Sequence, residues 1–272
     1  MYAALHHHQL VLASCANPMQ KYFCPECQQQ VLLITGKKQR AYFRHQNSHF
    51  REQETAEHRA AKTLILNSLL ALRLPAQTEV TVAKQQLRAD VYFWWHHREF
   101  AIEIQCAPLS EAEYEQRQQL YAQAGITDIW VLGKKHFVKR KLKQIQLNFV
   151  RNNSFWGDYL LEINVSQQKL ELIYNLQENP VTRQLLFQKH TFRLTGTGVQ
   201  ELILFRPLSL RKYPHDPGAD LQYLLQQARQ QTKLGREFAE ACYLQQIPLA
   251  AFPATALPGF LPIKKALQFR VL

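Results

Sequence analysis

The sequence lacks long uninterrupted apolar runs. A membrane-spanning helix needs about 18 to 20 consecutive apolar residues. The longest apolar stretches here, such as residues 63–72, are shorter and contain polar breaks. The first residues, MYAALHHHQLVLAS, also lack the basic front and continuous apolar middle of a secretory signal. We therefore expect no membrane span and a cytoplasmic location.

Cysteines are few, and their number is odd. The chain has 5 of them, whereas a disulfide framework pairs an even set in an exported protein. Cys24 and Cys27 are close together and the other three are scattered. This usage argues against a disulfide framework.

Acidic residues are scarce relative to basic ones. The chain has 21 Asp and Glu against 33 Lys and Arg, which gives a formal net charge of +12. Such an excess favours a polyanionic partner, either nucleic acid or an acidic membrane surface, although a merely basic protein is the simpler alternative. The chain has 272 residues, 46% of them hydrophobic, enough for two or three folded units with their own cores.

A pattern of cysteines and histidines near the N-terminus resembles a zinc site. Cys24 and Cys27 form a CxxC turn around Pro25, and His45 and His49 follow downstream as HxxxH. This spacing suits a tetrahedral zinc ion. A redox CxxC is disfavoured because no thioredoxin-like strand and helix pattern surrounds it, and His49 as an ordinary solvated histidine remains an alternative.

The stretch Leu87–Gln105, LRADVYFWWHHREFAIEIQ, predicts a β-hairpin. Two runs of β-branched and aromatic residues flank a polar tip at His96 and His97. If the turn is centred between these histidines, Trp95 pairs with Arg98.

The same register places Asp90 opposite Glu103. Directly opposed carboxylates destabilise a sheet, so a positive group should lie between them. Alternation along the strand puts Glu103 and Gln105 on one face, and Ile102 and Ile104 on the other, buried face. Opposed acidic oxygens followed by a polar group suit a hard cation such as Mg²⁺ or Mn²⁺.

Helices and strands flank this hairpin in a defined order. Residues from about 52 to 72 predict a helix that carries Glu57 near its start, and Glu79–Val82 predicts a strand. A second helix begins with a capping box at Ser110 and ends at Gly125, and ITDIWVLG predicts a further strand. The order helix, three strands, helix, strand indicates an α/β layer whose sheet presents the acid pair.

These residues together suggest metal-dependent phosphodiester cleavage. Asp90 and Glu103 would be direct ligands of Mg²⁺ or Mn²⁺, and Glu57 would bind a metal water or a second ion. Gln105 would orient the attacking water. The alternatives are an ordinary solvated helix acid at Glu57 and a polar residue at a strand end for Gln105.

Gln105 carries no charge, so it cannot lower the pKa of a water as a cation does. Lys62 or His58 is a candidate for supplying positive charge near the site. Lys62 lies five residues after Glu57, on a different side of the helix.

A basic segment follows the last predicted strand. Between residues 134 and 151 the sequence has no acid, and we expect phosphate contacts from Lys134, Lys135, Lys139, Arg140, Lys141 and Lys143. Trp94, Trp95 and Trp156 are candidates for stacking on unpaired bases. DNA, especially single-stranded DNA, is the expected partner. A solvated basic linker and an RNA partner are the alternatives.

The C-terminal third shows no catalytic pattern. Residues 159–176 predict a second hairpin, and residues 216–247 predict a helical region with Gly235 as a possible break. We divide the chain into an N-terminal zinc-binding β module (1–51), a core (52–150) and a mixed α+β accessory region (151–272).

The order of these motifs resembles the PD-(D/E)xK restriction-endonuclease-like fold, and more closely the competence protein CoiA family. The resemblance covers roughly residues 1–135, through the N-terminal hairpin, YFCPEC, YFRH, the EH....K helix, RADV, IEIQ and GITDIWVL. It implies a nuclease-like protein of natural transformation that processes incoming DNA alongside recombination proteins. The alternative function is an inactive nuclease-fold adaptor that binds DNA and scaffolds recombination proteins.

Two positions depart from the family pattern. Gln105 replaces the lysine that usually ends the third motif, which favours the inactive adaptor. Tyr42 stands where the family's HFxH motif has its first histidine, so His49 becomes the candidate replacement ligand.

Overall fold

The computed structural model describes residues 2–7, 9–25, 30–36, 39–45, 55–83 and 86–269. The chain divides into two compact units, Met1–Glu54 and Thr55–Leu272. The first boundary falls close to the predicted one at 51/52. Across the described ranges, none of the helices combines the length and apolar character that crossing a membrane requires.

The first unit is built on one antiparallel sheet. Its strands are β1 (Ala3–His6), β2 (Gln9–Leu12), β3 (Tyr22–Phe23), β4 (Gln30–Gly36) and β5 (Gln39–His45). They are arranged in the order β2-β1-β3-β4-β5. Its small core includes Ala4, Tyr22, Cys24, Val31 and Phe43.

The second unit combines helices with a second, larger sheet. Its helices are α1 (Ala56–Ala71), α2 (Glu111–Gln123), α3 (Gln144–Leu147), α4 (Gly196–Leu204), α5 (Pro217–Arg229), α6 (Lys233–Leu244) and α7 (Ile263–Phe269). Its strands are β6 (Ala76–Val82), β7 (Leu87–Trp95), β8 (Arg98–Gln105), β9 (Thr127–Leu132), β10 (Arg151–Asn153), β11 (Gly157–Asn164), β12 (Lys169–Glu178), β13 (Leu185–Arg193) and β14 (Leu261–Pro262). The predicted order of helix, three strands, helix and strand is confirmed as α1, β6, β7, β8, α2, β9.

The larger sheet is mixed and is covered on both faces. Its main path is β13-β12-β11-β9-β8-β7-β6, with β9 parallel to both β8 and β11. One face packs on α1 and α4 through a core that includes Ile65, Ile104 and Leu202. The other face packs on α2 and α7 through a core that includes Tyr114 and Ile263. The unit is therefore a three-layer α/β structure.

Local sequence signals explain where the elements near the hairpin begin and pair. Trp95 pairs with Arg98 as predicted, and both turn residues, His96 and His97, have positive φ. This conformation suits a two-residue turn because its twist matches that of the strands. The capping box of α2 is confirmed, since the Ser110 side chain accepts from Glu113 N while Glu113 accepts from Ser110 N.

The sheet does not end at the boundary expected at 150/151. β11, β12 and β13 continue the same sheet beyond β9, and residues 151–272 belong to the same compact unit as the core. The hairpin predicted for residues 159–176 is present as β11 and β12, which pair through Asn164 and Lys169 at the turn.

The helical region predicted for residues 216–247 breaks at residues 230–232, between α5 and α6, and not at Gly235. Gly235 lies inside α6, where a Cβ atom would come within 2.1 Å of the Gln227 carbonyl carbon and oxygen. The glycine therefore allows two helices to approach closely, and its role is packing.

We expect Gly235→Ala to lower the free energy of unfolding by about 1–3 kcal/mol, because an added methyl group overpacks a tight contact. Gly218→Ala is the matched control in α5, where the nearest atom to an added Cβ is the side-chain oxygen Asp216 Oδ1, at 3.3 Å and not a backbone atom. Urea denaturation of both variants measures the difference. Equal stability of the two variants would contradict the packing role.

Candidate functional site

The predicted acid pair lies where the β7–β8 ladder ends. The last paired residues are Val91 and Ile102, and Asp90 and Glu103 are the next residue on each strand. Asp90 Oδ2 accepts a hydrogen bond from Ile104 N at 2.8 Å and lies 2.9 Å from His58 Nε2 on α1. The Asp90 carboxylate is thus held between the β8 backbone and helix α1.

Glu103 is buried, with a relative exposure of 3%, and helix α2 supplies both of its side-chain partners. Arg117 Nη2 lies 2.5 Å from Glu103 Oε2, and the Tyr121 hydroxyl donates to Glu103 Oε1. Arg117 and Tyr121 are one helical turn apart and therefore share a face of α2. The positive group beside the acid pair is the guanidinium of Arg117, which contacts Glu103 and interacts electrostatically with Asp90.

The electrostatics of this cluster follow from burial. Burial raises the pKa of Glu103, Asp90 raises it further, and Arg117 lowers it. Burial lowers the pKa of Arg117, but the charge of Glu103 and its hydrogen bond to Arg117, together with Tyr121 and Asp90, outweigh that effect and the net shift is upward. Arg117 therefore stays charged and compensates Glu103.

The face of β8 that was expected to be open is covered. Ile102 and Ile104 are buried as predicted, but Glu103 and Gln105 are buried as well. Helix α2 lies over Glu103, and Gln105 Nε2 donates to the Ala107 carbonyl. Strand alternation assigned the two faces, but it could not indicate that a helix packs on the second one.

Glu57 reaches the same end of the sheet from helix α1. Its Oε1 accepts from Lys134 N at 3.0 Å, which ties α1 to the segment after β9. Cys106 directly follows Gln105 and is buried. Burial, with smaller contributions from the charges of Glu57 and Asp90, raises the pKa of its thiol to about 12. Its thiol therefore stays protonated and unreactive at neutral pH.

The two candidates for extra positive charge, His58 and Lys62, contact different acids. His58 Nε2 faces Asp90, whereas Lys62 forms an ion pair with Glu79 on β6. Glu79 has positive φ and also pairs with Arg88 at 2.7 Å. Their spacing on the helix had predicted that the side chains of Lys62 and Glu57 lie on different sides of α1.

The donor chemistry of the acid pair fits a hard cation, because carboxylate and backbone carbonyl oxygens are the ligands that such ions take. In this structure the guanidinium of Arg117 contacts one oxygen of Glu103, and the hydroxyl of Tyr121 donates to the other. Among the residues that the structure describes, no group of three or more His, Cys, Asp or Glu side chains is placed to hold a metal. A divalent ion at Glu103 would therefore have to displace Arg117.

The predicted zinc ligands are only partly within the described structure. Cys24 is a buried free thiol in the first unit, and His45 ends β5, paired with Val31. Cys27 and His49 lie outside the described residues. The zinc site stays a prediction.

The predicted nucleic-acid-binding residues share an exposed segment after β9. All six basic side chains are exposed, namely Lys134, Lys135, Lys139, Arg140, Lys141 and Lys143. Two polar residues of this region, His136 and Gln146, are buried instead. The basic side chains of this segment are therefore exposed to solvent, while His136 and Gln146 anchor the segment in the protein interior.

Sequence reasoning missed Arg117 and Tyr121. The signal that could have found them is the i, i+4 spacing of a cation and a phenol on the helix that directly follows the acid-bearing strand. The sequence indicated that a positive group is needed, but it favoured a metal ion, with Lys62 or His58 as nearby sources of charge, and it did not point to Arg117.

The fold defines a mixed α/β protein, and a family comparison identifies a nuclease-like domain within it. The family model described as competence protein CoiA, nuclease-like domain, matches residues 54–206, and the model of the CoiA N-terminal domain matches residues 6–50. The chain belongs to the competence protein CoiA family, which confirms the predicted resemblance. No curated protein and no solved structure matches the chain.

Proposed function

We propose that this protein processes incoming DNA during natural competence and that its nuclease-like domain cleaves phosphodiester bonds with the aid of Mg²⁺ or Mn²⁺. The observation that carries the proposal is the acid pair itself. Asp90 and Glu103 occupy neighbouring positions on β7 and β8, close enough for the charge of Asp90 to raise the pKa of Glu103. Glu57 approaches the same place from α1.

The roles of the residues follow from their chemistry. Asp90 and Glu103 would hold the cation, together with the Ile104 carbonyl. When bound, a divalent cation stabilises charge on the phosphate and lowers the pKa of a water. Gln105 would orient the attacking water through its amide, and Glu57 would hold a second water.

The remaining parts of the proposal concern binding. The six basic residues between Lys134 and Lys143 would contact DNA phosphates. Zinc would be held in the N-terminal module by Cys24, Cys27, His45 and His49, where it would stabilise the fold. Recombination proteins are the proposed protein partners.

Asp90→Asn tests cleavage, because it removes the charge and keeps the shape of the side chain. We expect this variant to cleave labelled single- or double-stranded DNA about a hundredfold more slowly than wild type in Mg²⁺ or Mn²⁺. Glu240→Gln, an equal change of charge at an exposed position of α6, should cleave at the wild-type rate. In preparations shown to be free of contaminating nuclease, equal rates for Asp90→Asn and wild type would exclude the proposed site.

A second candidate function is an inactive DNA-binding adaptor that scaffolds recombination proteins. The Arg117–Glu103 ion pair favours it, because the guanidinium already neutralises the buried acid. Gln105 in place of lysine favours it as well. In the same assay, DNA binding without cleavage by the wild type would support the adaptor.

A further inference from the structure

A groove of about 830 Å³ runs between the basic segment and strand β13. Its floor is apolar and is formed by Phe137 and Val138 on one side and Leu185 and Phe187 on the other. Phe137 and Phe187 are half-buried. Both phenyl rings line the groove, and the ring of Phe187 also packs against the core beneath α2 and α7, which holds it in place.

The rim of this groove is strongly basic. Lys139, Arg140, Lys141 and Lys143 line it, and all four are exposed. The nearby acid Glu162 is buried, with a relative exposure of 2%, and accepts from Val138 N at 2.5 Å. The open surface of the groove therefore carries positive charge over an apolar floor.

Buried polar side chains hold the backbone of the rim in place. Gln146 Nε2 donates to the His136 carbonyl at 2.7 Å, and Gln146 Oε1 accepts from Lys143 N at 2.7 Å. Glu162 fixes the middle of the segment at Val138. A binding surface ordered in advance loses less conformational entropy when a ligand binds.

Phosphates and flat apolar rings are the ligand groups that complement such a groove. Unpaired bases expose their faces and stack on aromatic side chains, a contact that contributes about 1–3 kcal/mol per base. A duplex presents phosphates, but its base faces are stacked on one another, so no base would be available to contact the apolar floor. The groove therefore distinguishes the two forms of DNA.

We propose that this groove binds single-stranded DNA, with bases on Phe187 and Phe137 and phosphates on the basic rim. The inference rests on the proposed function for the identity of the ligand as DNA, and it adds the groove, the residues of β13 and a structural reason for the expected preference for single strands. Sequence reasoning did not identify Phe187, because β13 and the basic segment are distant in the chain.

Fluorescence anisotropy with a labelled single-stranded oligonucleotide, and with the duplex of the same sequence, tests the groove. Phe187→Leu retains an apolar side chain and removes the ring. We expect it to weaken single-strand binding about tenfold, which corresponds to the loss of one stacked base, and to leave duplex binding unchanged. Lys139→Glu with Arg140→Glu should weaken binding of both forms and reduce its salt dependence.

Arg98→Glu with Arg229→Glu is the matched control, since it makes the same change of charge at exposed positions elsewhere. Thermal unfolding shows whether the Phe187→Leu variant is folded. If the folded variant binds the single strand as tightly as wild type, the proposed role of the groove is wrong. Tighter binding of the duplex, or of single-stranded RNA of the same sequence, would also overturn it. A wild type that does not cleave DNA, together with the tenfold loss in Phe187→Leu, would reject the nuclease and support the groove.

Discussion

Replacing Arg117 with methionine is expected to lower the free energy of unfolding by about 3–5 kcal/mol. Removal of one partner of a buried ion pair leaves an uncompensated buried charge, and this is the size of the usual cost. Glu103 is almost completely buried, and only 23% of the Arg117 side chain is exposed. The guanidinium also lies 5.6 Å from the centre of the Trp130 ring, a cation–π contact that methionine would lose.

Urea denaturation measures this effect, and two further variants show its origin. The double variant Glu103→Gln with Arg117→Met removes both charges and should recover most of the lost stability. Arg88→Met removes an arginine from an ion pair whose arginine side chain is 53% exposed, and it should cost about 1 kcal/mol or less. A loss of stability in Arg117→Met no larger than in Arg88→Met would show that the buried pair does not compensate Glu103 as described.

Manganese should bind Arg117→Met between about a hundredfold and about four-thousandfold more tightly than it binds the wild type. If Mn²⁺ has to displace Arg117 from Glu103, the wild type loses the 3–5 kcal/mol interaction on binding, and this energy corresponds to that range of affinity. The variant has no such competitor. Electron paramagnetic resonance of free Mn²⁺, without DNA and above the raised pKa of Glu103, measures the affinity independently of cleavage.

The control for manganese binding is Asp90→Asn in the Arg117→Met background, which keeps the arginine absent and removes a proposed ligand. This double variant should lose the gained affinity. If Arg117→Met binds Mn²⁺ no more tightly than wild type, then the acid pair is not a divalent-cation site and the guanidinium is its permanent partner. That result would favour the adaptor.

Much of the fold around the hairpin could be predicted because its signals are local. The polar His96-His97 pair between two apolar strands fixed the register, and Ser110 marked the start of α2. The burial of Ile102 and Ile104 followed from alternation. No local signal could show that the sheet continues past residue 150, because the sequence of neither strand indicates that β9 pairs with β11.

The candidate site was predictable only as a set of residues. The charges of Asp90 and Glu103 and the register between their strands indicated that a positive group is needed. Neither charge nor register could indicate which group supplies it, since Arg117 reaches Glu103 only through the packing of α2 on β8.

The sequence by itself determined the order of the elements, the hairpin register, the basic segment and membership in the CoiA family. All of these depend on residue types and their spacing along the chain. Only the tertiary structure decided that Glu103 is buried against Arg117, that His58 faces Asp90 and that Phe187 lies beside the basic segment. The reason is physical: burial and ion pairing depend on which elements pack together, and contacts between residues distant in the chain are fixed only when the whole unit folds.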